Sequence, residues 1–227
     1  MLNNNTGRLI NQRTERVIIE TNNVLRNTYL LLSSTLLFST LTAILGILSS
    51  TPVINPLLTF VIYFGLLFGI QANKHSSVGL MLTFALTGFL GLTIAPVLGF
   101  YLTKFSNGPE LIITSLTGTG AIFLGLSLIA IKHERDFTQL GNFLSVGSIV
   151  CLIAIIMNVF LKMPALELAL SLMVSFISAG VILWQTNQIV QGGEKNYITA
   201  TVTLYVSILN LFLTILRFLA IFSGKRD

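Results

Sequence analysis

The chain has 227 residues, of which 53% are hydrophobic and 9% are charged, and its formal net charge is +5. A soluble globular domain carries roughly 25% charged residues, and a mean hydropathy of +0.86 is too high for a fold that presents a polar surface to water. The composition excludes a soluble protein and predicts an integral membrane protein. Because no basic run is interleaved with aromatic residues, nucleic-acid binding is excluded as well.

The first 23 residues are polar and contain no long apolar stretch. A cleavable signal peptide would need an apolar segment soon after a short basic start. We therefore predict two regions, a polar cytoplasmic tail over residues 1–23 and a transmembrane domain over residues 24–227. The tail is weakly hydrophobic and rich in asparagine, so we expect it to be disordered or only partly helical when free.

Seven apolar runs follow the tail. A bilayer core about 30 Å thick requires about 20 apolar residues in a helix, and each segment must satisfy its backbone hydrogen bonds internally. The predicted fold class is therefore an all-α integral membrane protein with seven transmembrane helices. An alternative has six spans, with the last run re-entrant or buried. The seven runs are Tyr29–Ser49, Val53–Ala72, Val78–Tyr101, Leu111–Ile131, Leu140–Leu161, Ala165–Val190 and Tyr197–Phe222.

The loop charges predict the orientation. Membrane proteins keep an excess of lysine and arginine in their cytoplasmic loops. With the amino terminus inside, the cytoplasmic side holds eight such residues: Arg8, Arg13, Arg16, Arg26, Lys74, Lys132, Arg135 and Lys195. The opposite side holds four: Lys104, Lys162, Lys225 and Arg226. This difference favours a cytoplasmic amino terminus.

Small residues recur at helical spacing in two of the runs. Gly65 and Gly69 form a GxxxG pair in the second run, and Gly91, Ala95 and Gly99 lie four residues apart in the third. Small side chains let transmembrane helices approach closely. We predict tight helix packing at these positions, with a dimer contact at Gly65 and Gly69 as the alternative.

The last two runs carry polar stripes. Polar residues at spacings of three and four lie on one face of a helix. In the seventh run the stripe comprises Asn196, Thr199, Thr203, Ser207, Asn210, Thr214 and Arg217. In the sixth run it comprises Glu167, Ser171, Ser175, Ser178, Gln185 and Gln188. Consecutive antiparallel helices with a short connection can place the two stripes against each other.

Two interpretations of the stripes stay open. Serine and threonine in membrane helices commonly bond to their own i−4 carbonyl, and an interhelical amide contributes about 0.6 to 2 kcal/mol. Glu167 and Arg217, the only charged residues in any run, lie near run ends and could reach the interface. The stripes then hold helices together. In the second interpretation they border a hydrated path or polar cavity, because polar faces avoid lipid.

Enzyme signatures are missing from the chain. It contains no GxSxG, HExxH or phosphate-loop motif, and no aspartate lies inside any apolar run. His75 and His133 lie in loops, and the single cysteine, Cys151, lies in an apolar run where a thiol acts as a small hydrophobic group. We predict a protein that is not an enzyme, with no catalytic residues, no metal ligands and no cofactor.

Several segments resemble the transmembrane Bax inhibitor motif family. The most specific is GGEKNYITATVTLYVSILNLF over Gly192–Phe212, which follows GVILWQTNQI over Gly180–Ile189. Three further segments, Val24–Ala43, Thr87–Tyr101 and Met163–Ser171, resemble the bacterial YccA-like branch of that family. The resemblance runs in order from about residue 24 to the carboxy terminus.

The resemblance implies a fold of seven helices in which a polar carboxy-terminal helix is central and the other six surround it. It also implies an inner-membrane protein of a bacterium, in contact with membrane lipid. Members of the YccA-like branch bind the membrane-anchored ATP-dependent protease FtsH and modulate its action on other membrane proteins. The resemblance therefore implies a regulatory interaction protein with this protease as its partner.

The same resemblance implies an alternative function. Other members of the family are pH-sensitive calcium leaks, closed by a hydrogen-bonded pair of acidic residues between the sixth and seventh helices. Those positions fall on Gln185 and Ser207 here, and neither side chain is acidic. A carboxylate pair couples its contact to pH because the two groups share a proton. We therefore expect any leak through this protein to lack the acidic latch.

Overall fold

A computed structural model describes the backbone of residues 2–132 and 137–223, and the side chains of residues 21–132, 137 and 139–223. Within these residues the chain forms seven α-helices and no strand. They are α1 (Leu2–Leu48), α2 (Pro56–Ala72), α3 (Ser77–Lys104), α4 (Gly108–Lys132), α5 (Thr138–Leu161), α6 (Pro164–Val190) and α7 (Tyr197–Ser223). Among the loop residues used above, His133, Arg135, Lys225 and Arg226 lie outside the described residues.

The amino-terminal segment differs from the expectation of a disordered or partly helical tail. Helix α1 begins at Leu2 and continues without interruption into the first apolar run. The segment before Pro52 contains no proline and, in its polar part, a single glycine, Gly7. Since extending an existing helix costs far less than nucleating one, the apolar run can propagate a helix back through these residues.

In the part of the chain that the structure describes, six helices are long and apolar enough to cross a membrane, and the shorter one is α2. It has 17 residues, which at about 1.5 Å per residue extend over about 25 Å. By contrast α7 has 27 residues and is one of the six long candidate spans. The helix that falls short of a full bilayer core is therefore α2, not the last helix that the six-span alternative singled out.

Local signals set the helix boundaries. The Asn55 side chain accepts a hydrogen bond from the Leu57 amide at 2.9 Å, and Pro56 occupies the first turn of α2. Both features are typical of helix starts. Helix α5 ends at Leu161 and is capped by Lys162, whose backbone is left-handed with φ of 50°, and α6 begins two residues after this cap at Pro164. This tight connection makes α5 and α6 antiparallel neighbours.

Apolar side chains cover the outside of the bundle, whereas many polar side chains lie inside. Exposed residues include Phe68, Phe143, Phe160 and Phe176, each more than 70% exposed. Water would oppose such a surface, but hydrocarbon favours it. Fully buried polar residues include Thr35, Thr83, Thr87, Asn187 and Thr201. This distribution is that of a membrane protein.

Small residues allow close packing of α1 against α3, the most extensive helix pair in the bundle. A Cβ atom added to Gly91 would overlap the Thr42 hydroxyl and the Ser39 carbonyl of α1. The other predicted packing positions differ in their surroundings. Nothing lies within 4 Å of a Cβ added to Gly65 or Gly99. A Cβ added to Gly69 would lie 3.2 Å from the Leu82 side chain of α3, so both predicted small-residue faces meet another helix, and the contact at Gly91 is the closer one.

Helix α7 contacts four other helices, α1, α3, α4 and α6. Half of its apolar window is buried, which is the largest share among the six long spans. Both of its ends are tied to neighbouring turns. Asn196, just before α7, donates from Nδ2 to the Lys74 carbonyl at 2.7 Å, and Asn107 donates to the Ser223 hydroxyl at 2.7 Å. These contacts fix the position of α7 at both of its ends.

Candidate functional site

A tight turn brings the polar faces of α6 and α7 together. Gly192 adopts a left-handed conformation with φ of +73°, and its amide donates to the Ile189 carbonyl at 3.1 Å. Glycine is the usual residue at this position after a helix end. Asn196 then caps α7, because its side-chain oxygen accepts a hydrogen bond from the Thr199 amide at 3.0 Å. The two helices return antiparallel, with their stripes on facing sides.

The charged pair lies at the opposite end of α6 and α7 from this turn. Arg217 Nη2 lies 2.8 Å from Glu167 Oε1, and Arg217 Nη1 donates to the Ser171 hydroxyl at 2.8 Å. Thr214 adds a hydrogen bond to the Ser171 carbonyl at 3.2 Å. The Arg217 and Glu167 side chains are 38% and 56% exposed. The surroundings weaken the attraction between charges at this exposure, so the contribution of the ion pair to stability is comparable with that of the two hydrogen bonds.

Contacts weaken toward the middle of the helices. Asn210 Nδ2 lies 3.4 Å from the Ser178 hydroxyl, at the long limit for a hydrogen bond. Thr203 donates to the Thr199 carbonyl of its own helix at 3.0 Å. Ser175 is half-buried, and no hydrogen bond joins it to α7 among the described side chains. Glu167, Ser171 and Ser178 thus contact polar groups of α7, whereas Ser175 makes no hydrogen bond to α7 among the described side chains.

The two positions of the family latch are both buried. Gln185 is 2% exposed and Ser207 is 4% exposed. The Ser207 hydroxyl donates to the Thr203 carbonyl one turn earlier at 2.9 Å, which is the local bond that serines in membrane helices commonly make. Gln185 Nε2 is buried without a hydrogen-bond partner in the described part of the chain. No hydrogen bond joins the two side chains there.

Other buried hydroxyl groups also lack partners within the described residues. An unsatisfied buried donor costs about 1–3 kcal/mol, so these positions would gain from a bound water. The atoms are the hydroxyls of Thr28, Tyr29, Ser127, Thr186 and Thr199.

Cavities between the described helices border the α7 stripe, and two of them reach its polar residues. The larger has a volume of about 710 Å³ and lies between α5, α6, α7 and the start of α2. Asn210, Thr214, Arg217, Glu167 and Ser171 all line it. The smaller has a volume of about 280 Å³, lies between α2 and α7, and is lined by Thr199 and Thr203. The stripe is therefore partly hydrogen-bonded to α6 and partly open to space between helices.

A polar contact outside the predicted stripes joins three helices. The Ser39 hydroxyl of α1 lies 2.6 Å from the Tyr205 hydroxyl of α7, which also donates to the Thr87 carbonyl of α3 at 3.3 Å. Tyr205 is 1% exposed. Periodicity could not find this contact, because Tyr205 lies off the polar face. The available signal was a tyrosine in an apolar run, which requires a partner for its hydroxyl.

The described residues offer no obvious metal centre. No group of three or more histidine, cysteine, aspartate or glutamate side chains lies together among them. Asn158, Glu167 and Asn210 provide oxygen atoms around the larger cavity. One carboxylate among amides is a weak ligand set for a hard cation, which prefers several oxygens including carboxylates. The chemistry that the site supports best is hydrogen bonding and ion pairing.

Comparison with known proteins identifies the family. Residues 21–224 match the family described as "Inhibitor of apoptosis-promoting Bax1". The chain is 39% identical over 213 residues to the "Modulator of FtsH protease YccA" of Escherichia coli K12, covering 93% of this chain and 96% of that protein. It is also 39% identical over 208 residues to an uncharacterized membrane protein of Vibrio cholerae, covering 91% and 93% of the two chains. Its helical bundle, its polar α6–α7 pair and these matches make the chain a membrane protein of the Bax inhibitor-1 family.

Proposed function

We propose that this protein is a regulatory protein of a bacterial inner membrane that binds the membrane-anchored ATP-dependent protease FtsH and modulates it. The observation that carries the proposal is the 39% identity, over nearly the whole of both chains, to a protein named as a modulator of that protease. A relative of equal identity is named "Inner membrane protein YccA". Similarity over the full length supports a shared role because every helix of the bundle takes part in the match.

The surroundings of α6 and α7 support a role that involves no chemical reaction. At the end away from the turn their polar groups bond to one another, as in the Arg217–Glu167 pair at 2.8 Å and the Arg217–Ser171 bond at 2.8 Å. Neither the family description nor the names of these relatives indicates an enzyme. A bundle that presents fixed surfaces to another membrane protein needs no reactive group.

The proposal includes an arrangement in the membrane. All seven helices cross it, the amino terminus faces the cytoplasm, and α7 forms the centre of the bundle. Support for the central position comes from its contacts with four helices and from the half-buried apolar window. The short α2 can cross the bilayer because 17 residues are at the lower limit for a span.

Co-purification tests the proposed partner. The tagged protein and a tagged inner-membrane protein of another family should be solubilised from membranes in parallel, each with FtsH present. We expect FtsH to be retained by this protein and not by the control. Degradation of a membrane substrate by FtsH should then change in rate when this protein is added to reconstituted vesicles. Equal retention by the control, or unchanged degradation, would refute the proposal.

An ion leak is the second candidate, favoured by the cavity of about 710 Å³ that reaches Asn210 near the middle of α7. Such a cavity could admit hydrated ions to half the depth of the bundle. Beyond it, Ser207 and Gln185 are buried, so a leak would require the helices to separate there. Ion flux into proteoliposomes that contain the purified protein, compared with protein-free vesicles, separates this candidate from a purely regulatory role.

A further inference from the structure

The larger cavity carries an unbalanced positive charge. Three charged side chains line it, those of Lys162, Arg217 and Glu167. Arg217 is engaged by the Glu167 carboxylate at 2.8 Å, whereas Lys162 has no ion-pair partner among the described residues. The cavity therefore keeps one free cation at its wall, a feature that attracts an anion.

The start of α6 lies in the same wall and adds to this attraction. Pro164, the first residue of α6, lines the cavity beside Lys162. Pro164 has no amide hydrogen, so the free backbone donors of this helix start are those of Ala165 and Leu166, and the aligned peptide dipoles place partial positive charge at this end. The exposed Lys162 and the helix start two residues later thus lie at the same part of the cavity.

One side of the cavity is apolar. Ile155 and Val159 of α5, Val174 of α6 and Leu213 of α7 line it, and both α5 residues also face the outside of the bundle. The cavity therefore has an apolar side as well as its charged end and the polar stripe residues.

We propose that this cavity binds a membrane phospholipid, with its phosphate at Lys162 and the start of α6 and an acyl chain against the apolar wall. The volume of about 710 Å³ falls in the range of ligand cavities, about 300–1,000 Å³. A free phosphate would satisfy the charge but leave the apolar wall without a partner. A diacylglycerol would cover the apolar wall but leave the lysine without an anion. The phospholipid matches both parts of the site.

Lipid binding to the purified protein in detergent tests this site without any protease, so its failure and that of the proposed function are separable. The three probes are phosphatidylglycerol, a diacylglycerol with the same chains, and glycerol phosphate, with bound lipid counted by native mass spectrometry. Lys162→Gln should weaken phosphatidylglycerol binding about fivefold, the scale of one partly exposed charge pair. Lys104→Gln, an exposed lysine at the same end of the bundle outside the cavity, should leave binding unchanged.

A second pair of variants tests the apolar wall. Val174→Phe places a larger side chain in the cavity and should weaken phosphatidylglycerol binding, whereas Val146→Phe, on the exposed face of α5, should not. The proposal is overturned if diacylglycerol binds as tightly as phosphatidylglycerol, or if Lys162→Gln binds like Lys104→Gln. Glycerol phosphate binding as tightly as the lipid would also overturn it, since the site would then be one for a free phosphate ester.

Discussion

Single polar residues of α7 differ in their surroundings although they share one face of the helix. Asn210 and Thr214 line the larger cavity, whereas Ser207, one turn before Asn210, is 4% exposed and bonded to its own helix. Leu213, which lies off the stripe, also lines that cavity. A polar stripe therefore does not define the accessible face by itself. Which residues are accessible depends on how far the neighbouring helices lie from each point of α7.

Cysteine accessibility should follow the cavity and not the stripe. In a Cys151→Ala background, which removes the buried native thiol, Asn210→Cys and Thr214→Cys should react with a small polar thiol reagent several times faster than Ser207→Cys. Leu204→Cys, at a position with 0% exposure, is the control for a fully packed site. Similar rates at positions 204, 207 and 214 would show that the cavity does not admit the reagent.

The latch positions lead to a prediction about how ion flux depends on pH. Because Gln185 and Ser207 do not titrate in the relevant range, ion flux through the native protein should show no pH transition that depends on them. Gln185→Asp combined with Ser207→Asp should create one if the two positions adjoin as in the family latch, since both are buried and two neighbouring carboxylates share a proton. The uncharged double variant Gln185→Asn with Ser207→Ala is the control. A steep transition in the native protein that this control abolishes would contradict the prediction.

The helices are held in the bundle by two kinds of contact, close backbone approach and hydrogen bonds between side chains and neighbouring helices. Helix α1 approaches α3 closely because Gly91 has no side chain, whereas α7 joins α1 and α3 through the Ser39–Tyr205 and Tyr205–Thr87 bonds. Close backbone approach and polar bonds are the two ways that transmembrane helices associate, since lipid removes the hydrophobic driving force between them. Helix α2 packs chiefly against α3, so it is the least constrained element of the bundle.

Two glycines of α3 provide a matched test of helix packing. Gly91→Ala should destabilise the protein by about 1–3 kcal/mol, because its Cβ would overlap the Ser39 carbonyl and the Thr42 hydroxyl. Gly99→Ala, in the same helix with nothing within 4 Å, should be neutral or stabilise it by up to about 1 kcal/mol through helix propensity. Thermal unfolding in detergent measures both. An equal shift for the two variants would contradict the packing argument.

The amino-terminal end of α1 should serve as a handle for the protease. Deletion of residues 2–16 should leave the transmembrane bundle folded and slow degradation of this chain by FtsH, because membrane-anchored ATP-dependent proteolysis requires an accessible cytoplasmic segment. Turnover in cells, followed after protein synthesis is stopped, measures the effect. A chain of unchanged length in which residues 2–16 are permuted is the control. Unchanged turnover of the truncated chain would show that the protease engages it elsewhere.

At the scale of the whole molecule, the orientation of the bundle in the membrane depends on the turns at its two ends. The α3–α4 turn contacts the end of α7 through Asn107 and Ser223, while Asn196 at its start contacts the α2–α3 turn at Lys74. These contacts group the connections into two sets at opposite ends. The orientation of the whole bundle then depends on which set faces the cytoplasm, and the larger number of positive charges lies with the amino terminus.

Labelling of two positions tests this orientation. Cysteines introduced at Asn3 and at the exposed Ser106 of the α3–α4 turn should react from opposite faces of the membrane, Asn3 from the cytoplasm and Ser106 from outside. A reagent that cannot cross the bilayer, added to intact cells and then to inverted vesicles, distinguishes the faces. Labelling of both positions from the same face would refute the predicted topology.

The sequence by itself determined the class of the protein, the positions of its helices and its family. Apolar runs of about 20 residues have one stable form in a bilayer, and residues such as those of Gly192–Phe212 carry the family resemblance. Only the tertiary structure decided which polar residues meet. Arg217 and Ser171 are paired, Ser175 is not, and Tyr205 bonds to Ser39 in a distant part of the chain. Periodicity specifies the face of one helix, but a contact also depends on the rotation and spacing of the helix opposite, which are set by packing across the whole bundle.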